Sequence, residues 1–470
     1  MARKVLISFL GTSQYQECKY SYPDGSGRFS ESVRFIQEAT LEYLVNEDSW
    51  TSEDVVYIVL TEESETNNWN DDHIFVTDFI DSNNGKYIRE DKQENGLDSR
   101  LETFKKNYGL HFKIKSIKLT KDEEKDMWKI FEKVFSVIKD DDNLYIDVTH
   151  GYRYLPMFLL ILCNYSKFLK NVKVKGITYG NYEGRNGDVA PIVDLLPLTQ
   201  LQDWTFAAGQ YLDSGNVKQL VEMKDKVESE ELNSIIDKLV VVIKERQTCR
   251  GLSIHNSENL ALLKENLDNY FKKGSGNNCS EEPLHNILRK IDDSLKDFKG
   301  SPDVMNGFYA AQWCVDNGLY QQAITMLREN IITFFCVKKG YKINVYNFNR
   351  AFNRACVEDA LNLREKGKTI DGLIFKGSFD KENSESEEQK KKCEEQKKKY
   401  KDSVEEIMND KLLTPDVVEL WSSVRDYRNN FNHNGMNVDP MVAEDLEEYI
   451  KDKVKKAIRL FSEKEKSDKC

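Results

Sequence analysis

The sequence lacks several features that would assign a protein to a familiar class at once. Its nine cysteines are odd in number and scattered, and no two of them form a CxxC pair. This pattern suggests neither a disulfide framework nor a zinc site, so we expect a protein of the reducing cytoplasm. The longest apolar run, residues 154–163, is about half as long as a membrane span requires. The opening MARKVLISFLGTS lacks the order of a secretory signal, so we expect no membrane attachment.

An excess of positive charge is also absent. The 470 residues contain 68 basic and 80 acidic side chains, which give a net charge of −12. Because phosphate neutralisation dominates binding to duplex DNA, this balance argues against a protein that mainly coats DNA, although it is compatible with a local basic cleft. The first strand-like segment is followed neither by GxGxxG nor by GxxxxGK[ST]. NAD and ATP are therefore poor candidate ligands.

The first two hundred residues alternate between strand-like and helix-like segments. Five short segments rich in Val, Ile, Leu and Tyr have the length of strands: residues 4–10, 55–61, 112–119, 143–149 and 172–179. Helical patterns separate them, and one begins with capping-box spacing between Thr120 and Glu123. Strands that alternate with helices predict a mainly parallel, doubly wound sheet, which is a Rossmann-like α/β domain.

Strand signals almost vanish after residue 200, where amphipathic helical patterns with short polar joints take over. We therefore expect three regions: an α/β domain over 1–200, a helical connecting domain over 201–300 and an all-α domain over 301–470. The last region contains a charged insert near 380–402 that has almost no apolar face. Such a composition is typical of a solvated helix or a partly disordered segment.

Two loops that follow strand-like segments, GTSQ and DVTHGYR, carry unusual chemistry. Their candidate ligand-binding residues are Gly11, Thr12, Ser13, Gln14, Asp147, Thr149, His150, Gly151 and Arg153. The glycines let a ligand approach the backbone, the hydroxyls add hydrogen bonds, and the arginine offers a fork for phosphate. A helix that begins near Tyr152 would also favour an anion at its N-terminus. Either loop alone is more often a tight turn, but together they would lie at the strand ends where doubly wound sheets bind ligands.

A second polar group lies at the end of the helical pattern that begins near residue 414. Its apolar stripe consists of Leu420, Val424, Tyr427 and Phe431. The candidate catalytic residues are Arg428, Asn429, Asn432 and His433. On a regular helix His433 falls on the far side from the stripe, so it is not naturally a core histidine. A lone histidine is nonetheless more often structural or simply exposed, and R-x4-H arises often by chance.

The two loops and the helix end together resemble a known family. DVTHG is similar to the DxTHG motif of a group of CRISPR-associated proteins, and KVLISFLGTS resembles their first strand and loop. RNNFNH is similar to the R-x4-H motif of HEPN ribonucleases. The chain thus resembles the CARF–HEPN ribonucleases that accompany type III CRISPR systems. In that family an N-terminal Rossmann-like CARF domain senses cyclic oligoadenylate, and a C-terminal helical HEPN domain cleaves RNA.

The resemblance implies a metal-independent endoribonuclease of antiviral defence that cleaves single-stranded RNA and uses no cofactor. Its activator would be cyclic oligoadenylate, with the tetra-adenylate preferred to the hexa-adenylate. The RNA 2′-hydroxyl is the nucleophile, His433 would exchange a proton, and Arg428 would stabilise charge on the phosphorane. Five residues turn a helix by about 140°, so a homodimer or higher oligomer with two motifs around one cleft is favoured. Thr12, Ser13 and His150 are candidates for slow cleavage of the activator, which some family members carry out.

Two alternative functions stay open at this level. A CARF-type transcription regulator would need a basic recognition helix, and residues 200–300 contain no convincing example. A HEPN toxin ribonuclease controlled by a partner protein would leave the two strand-end loops without a role.

Overall fold

A computed structural model of the chain divides into two compact units, Met1–Gln202 and Asp203–Cys470. The residues that the structure describes are 2–70, 74–80, 87–93, 95–151, 154–224, 229–273, 282–341, 343, 348–373, 387–432, 436 and 441–467. Within these ranges, no helix combines the length and the apolar character needed to cross a membrane.

The N-terminal unit alternates between strands and helices, as predicted. Its strands are β1 (Lys4–Phe9), β2 (Lys19–Ser21), β3 (Val55–Leu60), β4 (Ile74–Ile80), β5 (Tyr87–Gln93), β6 (Lys113–Lys118), β7 (Asn143–Asp147), β8 (Lys173–Gly180) and β9 (Val189–Asp194). Its helices are α1 (Ile36–Glu47), α2 (Glu62–Ser64), α3 (Leu97–Tyr108), α4 (Met127–Val137) and α5 (Leu155–Lys170). A π-helical turn, Glu65–Trp69, continues α2, and a 3-10 turn, Tyr182–Gly184, follows β8.

Seven strands form one sheet in the order β2-β9-β8-β7-β1-β3-β6, and β4 and β5 form a separate antiparallel hairpin. Strands β8, β7, β1, β3 and β6 run parallel to one another, whereas β9 runs antiparallel to β8. The chain places β3 and β6 on one side of β1 and then returns to place β7 and β8 on the other. The strand order therefore switches direction between β1 and β7, where doubly wound sheets bind ligands.

The five predicted strands are confirmed as β1, β3, β6, β7 and β8, and the predicted α/β class is confirmed with them. Strands β2, β4, β5 and β9 were not predicted. Strand β2 is only three residues long, and β9 contains Pro191, which weakens a strand signal because proline cannot donate a ladder hydrogen bond.

Every residue of β1 and of β3 is buried, because helices cover both faces of the sheet. Alternate residues of β1 therefore enter two different cores. Ile7 belongs to the core that contains Ile130 of α4. Leu6 belongs to the core that contains Leu41 of α1 and Leu101 of α3. The faces of the sheet are thus occupied, and the strand ends are left for a ligand.

The regular elements among the described residues of the C-terminal unit are all helices, which confirms the predicted all-α region. The helices are α6 (Leu196–Ser214), α7 (Lys218–Lys224), α8 (Glu230–Gln247), α9 (Gly251–Asn256), α10 (Glu258–Lys273), α11 (Glu282–Asp293), α12 (Met305–Asp316), α13 (Tyr320–Lys338), α14 (Phe348–Glu365), α15 (Glu387–Met408), α16 (Pro415–Asn432) and α17 (Ala443–Ser467). A 3-10 turn, Ile370–Gly372, lies between α14 and α15.

One hydrophobic core extends through this unit, from Leu239 of α8 to Trp421 of α16 and Phe461 of α17. This core includes residues from both sides of position 300. The expected boundary there, between a connecting domain and an all-α domain, stays a prediction. The charged insert is helical from Glu387 onward, where α15 begins. Tyr400 in that helix enters the core, whereas residues 374–386 lie outside the described residues.

Candidate functional site

The loops that follow β1 and β7 lie side by side. The two strands are parallel neighbours, with Ser8 opposite Asp147 in the register. The imidazole of His150 packs on the ring of Tyr15, with the ring centroids 4.6 Å apart. A Cβ atom on Gly11 would collide with the hydroxyl of Tyr15 and would stand 3.5 Å from the Cβ of His150. The tertiary structure therefore brings the two predicted loops together, and a side chain at position 11 would displace the hydroxyl of Tyr15.

The GTSQ loop is shaped by Asn68, a fully buried residue in the π-helical turn after β3. Its Nδ2 donates to the carbonyl oxygens of Gly11 and Ser13, both at 2.9 Å. The neighbouring Asn67 donates to the carbonyl oxygen of Thr12 at 3.2 Å. These bonds hold the backbone, while the side chains of Thr12, Ser13 and Gln14 are exposed. The loop thus presents hydroxyl and amide groups on a fixed backbone.

Asp147 is fully buried, so we assign it a positioning role in place of the ligand contact expected from the sequence. Its Oδ2 accepts a hydrogen bond from the Ser8 hydroxyl at 2.6 Å. Its Oδ1 accepts from the backbone N–H of Thr149 at 3.1 Å and also from the Thr149 hydroxyl. Gln37 of α1 in turn donates to the Ser8 hydroxyl oxygen at 3.0 Å. The carboxylate acts on the second loop through Thr149.

The remaining residues of the second loop differ in what they present. Thr149 accepts a hydrogen bond through its Oγ1 from the backbone N–H of Gly180 at 2.8 Å. Burial lowers the pKa of His150, against the opposing effect of the Asp147 charge, so the imidazole is neutral near pH 7. Gly151 is exposed and has a φ of 113°, a conformation that favours glycine. Arg153 lies outside the described residues.

Several contributors to this site were missed in the sequence: Tyr15, Gln37, Asn68 and Tyr182. Tyr182 belongs to the loop between β8 and β9, and its hydroxyl donates to Oε1 of Gln16 at 3.0 Å. The two adjacent asparagines after β3 could have indicated the role of Asn68 from the sequence, because asparagine in a short loop commonly bonds to backbone groups. The other three become site residues only through contacts with distant parts of the chain.

Helix α16 carries the second predicted group. Leu420 and Val424 are buried, and Tyr427 and Phe431 pack against the core, which confirms the predicted apolar stripe. Arg428 is half-buried, and its Nε is enclosed without a hydrogen-bond partner among the described residues.

The other candidate catalytic residues lie close by along the chain. Asn429 is half-buried, and Asn432 is exposed at the last residue of α16. His433 lies outside the described residues, so its pairing with Arg428 stays a prediction.

Polar contacts hold α16 firmly against its neighbours within the unit. The indole nitrogen of Trp421 donates to Oδ1 of Asn362 at 2.9 Å. Ser422 donates to Oε1 of Glu365 at 2.9 Å, and the guanidinium of Arg425 donates to the same oxygen at 2.8 Å. These contacts fix the helix that carries Arg428 against α14.

Residues 5–183 match the family model described as the CARF domain of the CRISPR system endoribonuclease Csx1. The match covers nearly all of the N-terminal unit, whose mainly parallel sheet is thus similar to a CARF domain. Over this region the chain is similar to the CARF-containing CRISPR-associated proteins, the group that its sequence motifs resemble.

The chain is also similar to a curated relative, the CRISPR-associated protein MJ1674 of Methanocaldococcus jannaschii. The two are 28% identical over 256 residues, which are 52% of this chain and 37% of that protein. The match thus spans little more than a third of the relative's length. Among solved structures, Enterococcus italicus Csm6 bound to cyclic hexa-2'-fluoro-hexa-dAMP is 12% identical, with a TM-score of 0.43 and coverage of 98% of this chain and 94% of that chain.

Proposed function

We propose that the chain is an endoribonuclease of type III CRISPR defence that is activated by cyclic oligoadenylate and cleaves RNA without a metal. The observation that carries the proposal is the meeting of the GTSQ and THG loops at the switch point of a CARF domain. This is where a doubly wound sheet binds a ligand, and both loops bear groups suited to phosphate and ribose.

The chemistry of the strand ends suits a ring of phosphodiesters. Thr12 and Ser13 expose hydroxyls that can donate to phosphate oxygens. The carboxylate of Asp147 is buried and engaged in hydrogen bonds, so its negative charge is not exposed to an anionic ligand at the surface. A neutral His150 keeps both a donor and an acceptor for a ribose hydroxyl or a base edge.

One face of α5 supports the homodimer that we propose. Met157, Ile161 and Phe168 lie within about 40° of one another around this helix. Their exposed fractions are 72%, 57% and 86%. A stripe of large exposed apolar side chains marks an interaction surface. Because α5 follows the THG loop in the chain, a second copy seated on this stripe by a two-fold axis would bring a second pair of loops close to the first.

In the C-terminal unit we propose that Arg428 and His433 of two copies line one RNA cleft. The RNA 2′-hydroxyl would lose its proton and attack the adjacent phosphorus, and the bond from phosphorus to the 5′-oxygen would break. The products would be a 2′,3′-cyclic phosphate and a protonated 5′-hydroxyl, with His433 exchanging one of the two protons. Arg428 would stabilise the phosphorane oxygens, while Asn429 and Asn432 would hold the RNA.

The decisive experiment measures RNA cleavage in EDTA with and without cyclic tetra-adenylate or cyclic hexa-adenylate. We expect little cleavage without a ring and strong stimulation by one of them, the tetra-adenylate first. The absence of stimulation by either ring would contradict activation. Ring binding without RNA cleavage would favour a ligand-responsive transcription regulator, and cleavage that is independent of both rings would favour control by a partner protein.

A further inference from the structure

We infer that the loop formed by residues 181–187, between β8 and β9, is a third wall of the ligand site. In this arrangement Arg185 contacts a phosphate of the bound ring. The inference rests on the proposed function, because it takes a cyclic oligonucleotide as the ligand of the strand ends. It adds a residue that neither sequence motif includes.

The position of the 181–187 loop follows from the sheet. Strand β8 is a parallel neighbour of β7, with Thr178 opposite Asp147, so both strands end at the same edge. The backbone N–H of Gly180 donates to Oγ1 of Thr149 at 2.8 Å, which ties the start of the loop to the THG loop. The Tyr182 hydroxyl donates to Oε1 of Gln16 at 3.0 Å, which ties it to the segment after GTSQ.

The 181–187 loop is also internally ordered. Asn181 donates its backbone N–H to the carbonyl oxygen of Pro191 at 2.9 Å, and its Oδ1 accepts from the N–H of Gly184 at 3.1 Å. Gly187 has a φ of 61°, which closes the turn before β9. A loop braced at both ends presents its side chains at a defined place, so little ordering entropy is lost when a ligand binds.

Arg185 is the charged group that this loop presents. Its guanidinium lies over the ring of Tyr182, 4.2 Å from the centroid, and its Nη1 donates to the Tyr182 carbonyl oxygen at 3.2 Å. The residue is exposed, and no carboxylate lies within ion-pair distance of it among the residues that the structure describes. A guanidinium oriented by an aromatic ring and free to donate further hydrogen bonds is suited to phosphate.

Arg28 of the same unit is a matched comparison, because its charge is neutralised by carboxylates of the chain itself. It too lies near a tyrosine ring, that of Tyr22, 5.8 Å from the centroid. Its charge, however, is balanced within the chain by Asp24 and by Glu47, the latter at 2.8 Å. The two arginines share an exposed setting and an aromatic neighbour but differ in their charge balance. Arg185 is therefore the one placed for an anion that the chain itself does not supply.

The test is calorimetric titration of cyclic tetra-adenylate and cyclic hexa-adenylate into four full-length proteins: unmodified, Arg185→Ala, Arg185→Lys and Arg28→Ala. We expect Arg185→Ala to bind the ring about ten- to a hundredfold more weakly. Lysine should recover part of the loss, because it keeps the charge without the planar fork. Arg28→Ala should bind like the unmodified protein. Repeating the titrations at two salt concentrations should show a weaker salt dependence for Arg185→Ala, which a merely structural role would not produce.

The outcomes separate the inference from the function on which it rests. Unchanged affinity of Arg185→Ala, or weaker binding with an unaltered salt dependence, overturns the phosphate contact and leaves the proposed function standing. If the unmodified protein binds neither ring, the proposed function and the inference fall together.

Discussion

The buried carboxylate of Asp147 accepts a hydrogen bond from the hydroxyl of Ser8 at 2.6 Å and so joins the ends of β7 and β1. The same carboxylate orders Thr149, whose hydroxyl oxygen receives the N–H of Gly180 from β8. Three neighbouring strand ends are thus linked through one acidic side chain. The site depends on this network although a ligand does not need to touch it.

Asp147→Ala should therefore damage both stability and ligand binding. The substitution leaves the donors of Ser8 and Thr149 without their acceptor, which should lower the free energy of unfolding by about 1 to 3 kcal/mol. Ring affinity should fall as well, because Thr149 loses its position. Denaturant unfolding and calorimetry measure the two effects. The control is the exposed Asp140, whose replacement by alanine should change neither; equal behaviour of the two variants would contradict the positioning role.

The adjacent asparagines after β3 offer a matched pair. Asn68→Ala removes the two bonds that hold Gly11 and Ser13, and it should cost about 1 to 3 kcal/mol of unfolding free energy and weaken ring binding. Asn67→Ala removes one exposed bond, and its effect should stay within about 0.5 kcal/mol. Chemical unfolding with calorimetric titration distinguishes them. Similar small effects at both positions would show that the GTSQ loop does not need this support.

Gly11→Ala should disturb the site through Tyr15. The added methyl group meets the Tyr15 hydroxyl, and Tyr15 is held between Phe35 and His150. Overpacking of this kind typically costs about 1 to 3 kcal/mol. The double variant Gly11→Ala/Tyr15→Phe removes the colliding oxygen and should recover most of the stability and ring affinity. Failure of the second substitution to rescue the first would mean that the collision with Tyr15 is not the cause.

The unfolding free energy should depend on pH through His150. Burial lowers the pKa of this imidazole in the folded state, so the unfolded chain binds the proton more readily. Stability from this group is present above the unfolded pKa of about 6.5 and is lost as the pH falls through that value toward the folded pKa.

His150→Gln should remove this contribution. The comparison is denaturant unfolding of both proteins at several pH values between about 7.5 and 5.5, with the difference between them as the readout. The difference isolates His150, because burial also lowers the pKa of His255 and both proteins retain that residue. Parallel pH profiles would contradict the assignment.

Two arginines one turn apart on α16 test the proposed RNA cleft. Arg428→Ala should reduce ring-stimulated RNA cleavage by about 10² to 10³ without loss of stability, because its Nε is already enclosed without a partner among the described residues. Arg425→Ala removes the ion pair with Glu365 and should lower stability by about 1 kcal/mol while retaining most of the cleavage. Cleavage assays in EDTA and thermal unfolding measure the two properties. An Arg428→Ala protein with normal activity would contradict the assignment of the catalytic helix.

The sequence alone determined the class of fold and the general place of the candidate ligand site. Segments such as VVYIVL indicate a central strand. Both faces of a parallel sheet are covered by helices, so the residues of such a strand are apolar on both sides. Strand β9 contains Pro191 and gave no such signal, because its pairing with β2 and β8 is not encoded in its own residues. The meeting of GTSQ with THG was predictable, because parallel strands end at one edge.

Only the tertiary structure decided which side chains at that edge of the sheet face the protein interior and which hydrogen-bond partners they have. Asp147 turns inward because Ser8, 139 residues away in the chain, supplies a donor beside it. Asn68 shapes a loop 57 residues before it, and Thr149 receives a hydrogen bond from Gly180, 31 residues after it. Local pattern cannot reveal such pairs, because hydrogen bonds between distant segments depend on strand order and register.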